Sequence, residues 1–172
     1  PELLRLVLAK RSYKPEPSAL SPNTDSYQPI ERRLKLTRHC LEVFAECRNP
    51  VGIVTKNALV TRDLDLLQEL ANYDAVNVFI SVTSLDTELR RILEPRTSPP
   101  AARLRAIREL SEAGIPTGVL VAPIIPAIND HEIPKIIAAA EAGATSDGYV
   151  ILRLPHAVAP MFEEWLGQHF PD

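Results

Sequence analysis

From residue 51 onward, short runs of β-branched residues alternate with segments of helical period, and this alternation most limits what the chain can fold into. Runs at 51–56 (VGIVTK), 75–83 (AVNVFISVT), 117–122 (TGVLVA) and 148–154 (GYVILRL) read as strands. Between the first two, Leu64, Leu67 and Leu70 mark a helix over 59–73. Ser84 or Asp86 can cap the next helix, which must stop before Pro95. Pro99 and Pro100 open another, with Leu104, Ile107 and Leu110 on one face and Gly114 as its stop. Asn129 to Glu132 has the form of a capping box, Pro134 fits a first helical turn, and that helix runs to about Ala142 before Gly143 ends it. A last helix over 159–169 sets Phe162, Trp165 and Leu166 on one face.

Before residue 51 the pattern is less regular. A helix opens at Pro1 with Leu3, Leu6 and Val7 at helical spacing. Pro15, Pro17, Pro22 and Pro29 then punctuate a stretch that admits one short strand around 18–21. From Pro29 to about Arg48 a long helix is expected, its apolar stripe being Ile30, Leu34, Leu41 and Phe44, until Asn49-Pro50 stops it.

Strands alternating with helices imply right-handed crossovers and a parallel sheet, hence an α/β fold. Only four Phe, four Tyr and one Trp are present, so the core rests on Leu, Ile, Val and Ala, as helix-covered parallel sheets do. At 172 residues one domain spanning 1–172 is expected. Five strand–helix units are too few to close an eight-stranded barrel, which leaves an open sheet or a partial TIM-type barrel.

The net charge of −3 is mild, and basic side chains concentrate before residue 111. That distribution permits nucleic acid without requiring it. Cys40 and Cys47 lie seven apart on the expected long helix, a spacing unlike that of a zinc or redox motif, and two cysteines do not complete a structural metal site. No secretory signal or apolar run of membrane length is recognisable, so a cytoplasmic protein without membrane association is expected.

In parallel α/β sheets ligands gather beyond the carboxyl ends of the strands. The polar residues there are Asn23, Thr24 and Asp25; Thr55 and Lys56; Ser81 and Thr83; Ala122-Pro123; and Arg153 with His156. Lys56 closes an apolar strand, where it can serve as a Schiff-base amine or as a cation for a carboxylate or phosphate. Ser81 sits within an apolar run, where an unpaired hydroxyl costs about 1–3 kcal/mol, so it needs a backbone or ligand partner. Asp25 either caps a turn or serves a site. His39, His131, His156 and His169 suggest no metal motif, and Rossmann, Walker, nucleophile-elbow and zincin signatures are missing.

Taken together, TDSYQPIERRLKLTR at 24–38, VTK at 54–56, ISVTSLD at 80–86, LEPRTSP at 93–99, EAGIPTGVLVAPIIPAIND at 112–130 and YVILRLPH at 149–156 resemble the radical SAM family, in its spore photoproduct lyase and photolyase-like branch. The resemblance runs in order along the whole chain. It implies a (βα)6 partial barrel that binds S-adenosylmethionine on a 4Fe–4S cluster held by a CxxxCxxC loop. No such loop occurs here, and Cys40 and Cys47 do not replace it. The expectation is a chain that starts after the first strand and cluster loop, with an exposed sheet edge and no reductive cleavage on its own.

By the same resemblance Thr24, Asp25, Lys56, Ser81 and Ala122 contact the cofactor. The cluster would deliver one electron, taken from a donor such as flavodoxin or ferredoxin, to the sulfonium. The resulting 5′-deoxyadenosyl radical would act on an unknown substrate, with nucleic acid permitted. Two other readings stand beside this one: a Schiff-base aldolase with Lys56 as nucleophile and Asp25 as proton shuttle, and a non-catalytic binding module.

Overall fold

The computed structural model describes residues 1–20 and 23–171. Its sheet is parallel throughout, with strands β1 (Ser18–Leu20), β2 (Val51–Thr55), β3 (Val76–Ser81), β4 (Thr117–Ile124) and β5 (Ser146–Ile151) in spatial order 1-2-3-4-5. Eight α-helices accompany them among the described residues: α1 (Glu2–Leu8), α2 (Glu31–Leu34), α3 (Leu36–Cys47), α4 (Leu64–Ala71), α5 (Thr87–Leu93), α6 (Pro100–Glu112), α7 (Ile133–Ala140) and α8 (Val158–His169). An open, sequentially ordered parallel sheet of this kind is a partial TIM-type barrel. No helix among the described residues is long and apolar enough to cross a membrane.

Alternation along the strands divides the residues between two faces. Ile53, Val78, Ile80, Val119 and Val121 are buried against Leu41, Phe44, Leu67, Leu70, Ile107, Leu110 and Ile136 of the helices, forming one core. The opposite face is the barrel interior. There Val54, Phe79, Gly118 and Ser146 lie side by side in register across four strands. Gly118 has a steric reason to be glycine, because a Cβ there would stand 2.4 Å from the Phe79 ring and 2.6 Å from Ser146 Oγ. Val54 and Val150 remain 39% and 42% exposed on this face, so the interior is open.

The expected long helix over 29–48 is two helices. Lys35 adopts the left-handed conformation (φ 53°) between α2 and α3, and the Glu31 carboxylate accepts the Thr37 N–H in the first turn of α3. The break changes the phase of the apolar stripe. Leu41 and Phe44 enter the core, whereas Ile30 and Leu34 stay nearly half exposed.

The helix expected over 59–73 begins as a 3-10 turn, Ala58–Asp63, capped by the Asn57 side chain on the Leu59 N–H. Asp86 caps α5, accepting from the Glu88 and Leu89 N–H groups, and Gly114 (φ 75°) ends α6 as expected. The Asn129–Glu132 capping box does not form, because both side chains reach back to the strand ends instead. Of the expected first strand, Ser18 to Leu20 is observed and Ser21 lies outside the described residues.

Candidate functional site

With every strand parallel, the carboxyl ends of β1 to β4 fall along one rim of the sheet. A cavity of about 390 Å³ opens there. Thr24, Asp25, Lys56, Ser81 and Ala122 all line it. Its apolar wall is formed by Val54, Leu120 and Val150. Of the other strand-end candidates, Asn23, Thr55 and Pro123 also line it, whereas Thr83, Arg153 and His156 do not. β5 ends at Ile151, and Arg153 and His156 are exposed beyond it.

Asp25 organises the β1 side of the rim. Its Oδ1 accepts the Tyr27 N–H at 2.8 Å and the Thr55 hydroxyl at 2.7 Å, and its Oδ2 accepts the Lys56 N–H at 2.8 Å. One carboxylate thus fixes the loop after β1 to the end of β2, so Asp25 both holds a turn and lines the cavity. Thr24 accepts a hydrogen bond from the Gln28 amide on the same loop. Just behind it, the Tyr27 hydroxyl donates to the buried Asp63 carboxylate at 3.1 Å. Burial, with the Asp63 charge beside it, raises the Tyr27 pKa well above the ordinary phenol value.

Lys56 is the cation of the cavity, and it has a partner. Its ammonium is ion-paired with Glu94 Oε1, which also accepts the Thr83 hydroxyl at 2.7 Å. Glu94 Oε2 accepts from Arg103 Nη2 at 2.7 Å. Burial raises the Glu94 pKa, but the charges of Lys56 and Arg103 outweigh burial and hold the carboxyl below its ordinary value. Arg103 is fully buried. It also donates to the Ser98 carbonyl at 2.8 Å, to the Ser81 carbonyl at 2.9 Å and to the Thr97 hydroxyl, so its fork is nearly saturated.

Of the two hydroxyls at the β3 end, Ser81 Oγ donates to the Ala122 carbonyl at 2.9 Å, and Thr83 Oγ1 shares its one proton between that carbonyl at 2.8 Å and Glu94 Oε1. Ser81 therefore meets its need for a partner without a ligand and offers a ligand only acceptor capacity. The Ala122-Pro123 bond is cis. Asn129 secures this corner, accepting the Ile125 N–H at 2.6 Å and donating to the Thr83 and Pro123 carbonyls at 2.7 and 3.0 Å. Nearby, the Glu132 carboxylate accepts the Ser84 hydroxyl and the Leu85 N–H.

Glu94, Arg103, Asn129 and Glu132 escaped the sequence reading. For Arg103 a signal existed: it precedes Ile107 and Leu110 by four and seven residues, so it occupies the buried stripe of α6, where an unpaired charge is prohibitive. Asn129 and Glu132 carried a stronger local explanation as helix caps, which masked their distant partners.

Among the described residues no group of three His, Cys, Asp or Glu side chains can hold a metal ion. Cys40 and Cys47 are free thiols on α3, and neither lines the cavity.

The sequence model of the Radical SAM superfamily matches residues 13–140. An uncharacterized protein of Mycobacterium tuberculosis is 35% identical over 173 residues, a match covering 99% of this chain and 51% of that protein. An uncharacterized protein of Methanocaldococcus jannaschii is 30% identical over 153 residues, covering 89% of this chain and 56% of its own length. The chain therefore spans about half the length of these relatives. Among solved structures, a spore photoproduct lyase mutant with bound AdoMet and dinucleoside spore photoproduct aligns with a TM-score of 0.66 at 20% identity, over 94% of this chain and 47% of the other. At that identity the likeness is one of fold.

Proposed function

Because this chain belongs to the radical SAM superfamily, we propose that its strand-end cavity seats S-adenosylmethionine, in a protein whose 4Fe–4S cluster is held by cysteines outside this chain. The observation that carries the proposal is the meeting of Thr24, Asp25, Lys56, Ser81 and Ala122, from four successive strand ends, around one cavity.

The cavity suits the cofactor. Its volume falls in the range of small-molecule sites, and an apolar wall facing a few fixed polar groups is the composition such sites have. Lys56 supplies a cation for the methionyl carboxylate, held in place by Glu94. Thr24 has its hydroxyl proton to donate, since its oxygen accepts from Gln28. The Ala122 backbone and the Val54, Leu120 and Val150 side chains offer an apolar edge for the adenine. The same fit fails for the cluster: the chain has two cysteines and neither lines the cavity.

When bound, a cofactor of this class would supply one-electron, hydrogen-abstracting chemistry. This chain's share is to bind, orient and exclude water. An electron donor of the flavodoxin or ferredoxin class and a nucleic-acid substrate complete the reading; the dinucleoside spore photoproduct bound in the similar solved structure supports the latter.

Calorimetric titration of S-adenosylmethionine onto the chain tests the cavity. Lys56→Ala should weaken binding about tenfold, which is the loss of about 1.4 kcal/mol. Equal affinity of wild type and variant would remove the proposed seat. In the full-length natural protein under dithionite, 5′-deoxyadenosine should form, and a protein with no cluster would refute the radical chemistry.

A further inference from the structure

A second cavity, of about 610 Å³, adjoins the first and shares the Thr24 and Asp25 wall with it. Gln28, Asn57, Arg96 and Thr97 complete its polar lining. The existing hydrogen bonds show what this lining has left to offer. Both oxygens of Asp25 accept hydrogen bonds, from Tyr27, Thr55 and Lys56. Asn57 Oδ1 accepts from the Leu59 N–H and the Ser98 hydroxyl, so its amide N–H groups are the uncommitted part. Thr97 donates its hydroxyl to the Glu94 carbonyl, and Thr24 retains its proton. Arg96 is exposed and takes part in none of the ion pairs found among the described residues. The spare acceptors are the Gln28 side-chain carbonyl and one lone pair of Asp25 Oδ2; the rest of the free capacity is donor, and it includes a guanidinium outside every ion pair found among the described residues.

That guanidinium stands on a fixed loop. Thr97 bonds back to the Glu94 carbonyl through both its N–H and its hydroxyl, and the Ser98 N–H donates to the Lys56 carbonyl. Arg90 donates to the Thr97 carbonyl, and Arg103 to the Ser98 carbonyl. A backbone held this firmly places the Arg96 side chain at a donor-rich cavity, and a guanidinium fork matches phosphate oxygens in pairs.

We propose that this second cavity is an oxyanion subsite that takes a phosphate group of the substrate, with Arg96 as its charged anchor and the Asn57 amide as a further donor. The assignment rests on the reading of the neighbouring cavity as the cofactor seat. The shared Thr24–Asp25 wall then places a phosphate-bearing substrate beside the cofactor.

The test is a titration of the ¹⁵N-labelled chain, read on the Arg96 Nε–H and Asn57 side-chain amide resonances. Adenosine monophosphate and a short oligothymidylate are the two probes, and adenosine is the control. Saturable shifts with either probe, weakened about tenfold by Arg96→Gln and partly restored by Arg96→Lys, are expected. Adenosine monophosphate alone acting would assign a terminal phosphate; the oligothymidylate alone would assign a nucleic-acid strand. Shifts that persist in Arg96→Gln, that adenosine reproduces, or that never occur would overturn the subsite.

S-adenosylhomocysteine, added to the same sample, should move the Lys56, Ser81 and Ala122 amides in wild type and Arg96→Gln alike. Its failure beside intact phosphate binding would sink the cofactor reading and leave the oxyanion site standing. The reverse result would sink the oxyanion site alone.

Discussion

Lys56, just beyond β2, is ion-paired with Glu94, which lies 38 residues later at the end of α5. The pair is lopsided. Lys56 is 29% exposed, whereas Glu94 is buried and shared with the fully buried Arg103. Removing one end is therefore not equivalent to removing the other. Glu94→Gln strands a buried guanidinium and should cost about 3–5 kcal/mol in chemical denaturation. Lys56→Met leaves Glu94 its Arg103 partner and should cost about 1 kcal/mol or less, while still weakening cofactor binding. Equal losses would show that Arg103 does not depend on Glu94.

The same carboxylate sets a pH dependence. Its pKa is depressed in the folded state, so its contribution is fully present above the ordinary value of 4.5 and is lost as pH falls from there through the depressed value. Resistance of wild type to denaturation should weaken as pH falls through that acid window, and Glu94→Gln should flatten the slope. An unchanged slope in the variant would assign the acid sensitivity to other carboxylates.

Gly118 gives a test of the barrel interior. A Cβ at that position collides with Phe79 and with Ser146 Oγ, and overpacking of this kind costs about 1–3 kcal/mol. Gly118→Ala should be destabilised by that amount. Phe79→Leu in the same chain should recover part of the loss, because the ring is the group in the way. A fully additive double variant would mean that the clash is relieved elsewhere.

What could be read from sequence divides along the range of the interactions. The alternation of runs such as AVNVFISVT with helical segments is local, and it specified the parallel α/β fold and the strand ends where Thr24, Asp25, Lys56, Ser81 and Ala122 meet. The break at Lys35 was not legible, because Glu31 stabilises it through a backbone group six residues on while itself anchored to Arg62. Nor were the partners that Asn129 and Glu132 find 46 to 48 residues away, Thr83 for the one and Ser84 and Leu85 for the other, since either residue fits a helix cap equally well. Long-range polar networks leave little trace in periodicity, and here they set the geometry of the rim.

Asn129 should prove one of those long-range fixtures. Alanine there leaves the Ile125 N–H and the Thr83 and Pro123 carbonyls without their partner, and each buried group left unpaired costs about 1–3 kcal/mol. Asn129→Asp keeps the acceptor for Ile125 but sets a carboxylate against two carbonyls. It should be at least as unstable as Asn129→Ala. An aspartate variant of near-native stability would mean that the two carbonyls find other donors.

Covalent catalysis through Lys56 makes the opposite demand on the same residues. A Schiff-base lysine is activated by desolvation or by a neighbouring cation, and Lys56 instead faces a buried carboxylate. The proposed shuttle, Asp25, is tied to the Tyr27 and Lys56 N–H groups and the Thr55 hydroxyl, which fixes its carboxylate on the rim and leaves one lone pair of Oδ2. Borohydride reduction in the presence of small aldehydes and ketones should therefore leave Lys56 unmodified in a peptide map, while S-adenosylhomocysteine still binds. A reduced adduct on Lys56, absent from Lys56→Arg and suppressed by S-adenosylhomocysteine, would show that the amine can be freed from Glu94, and the aldolase reading would then replace the radical one.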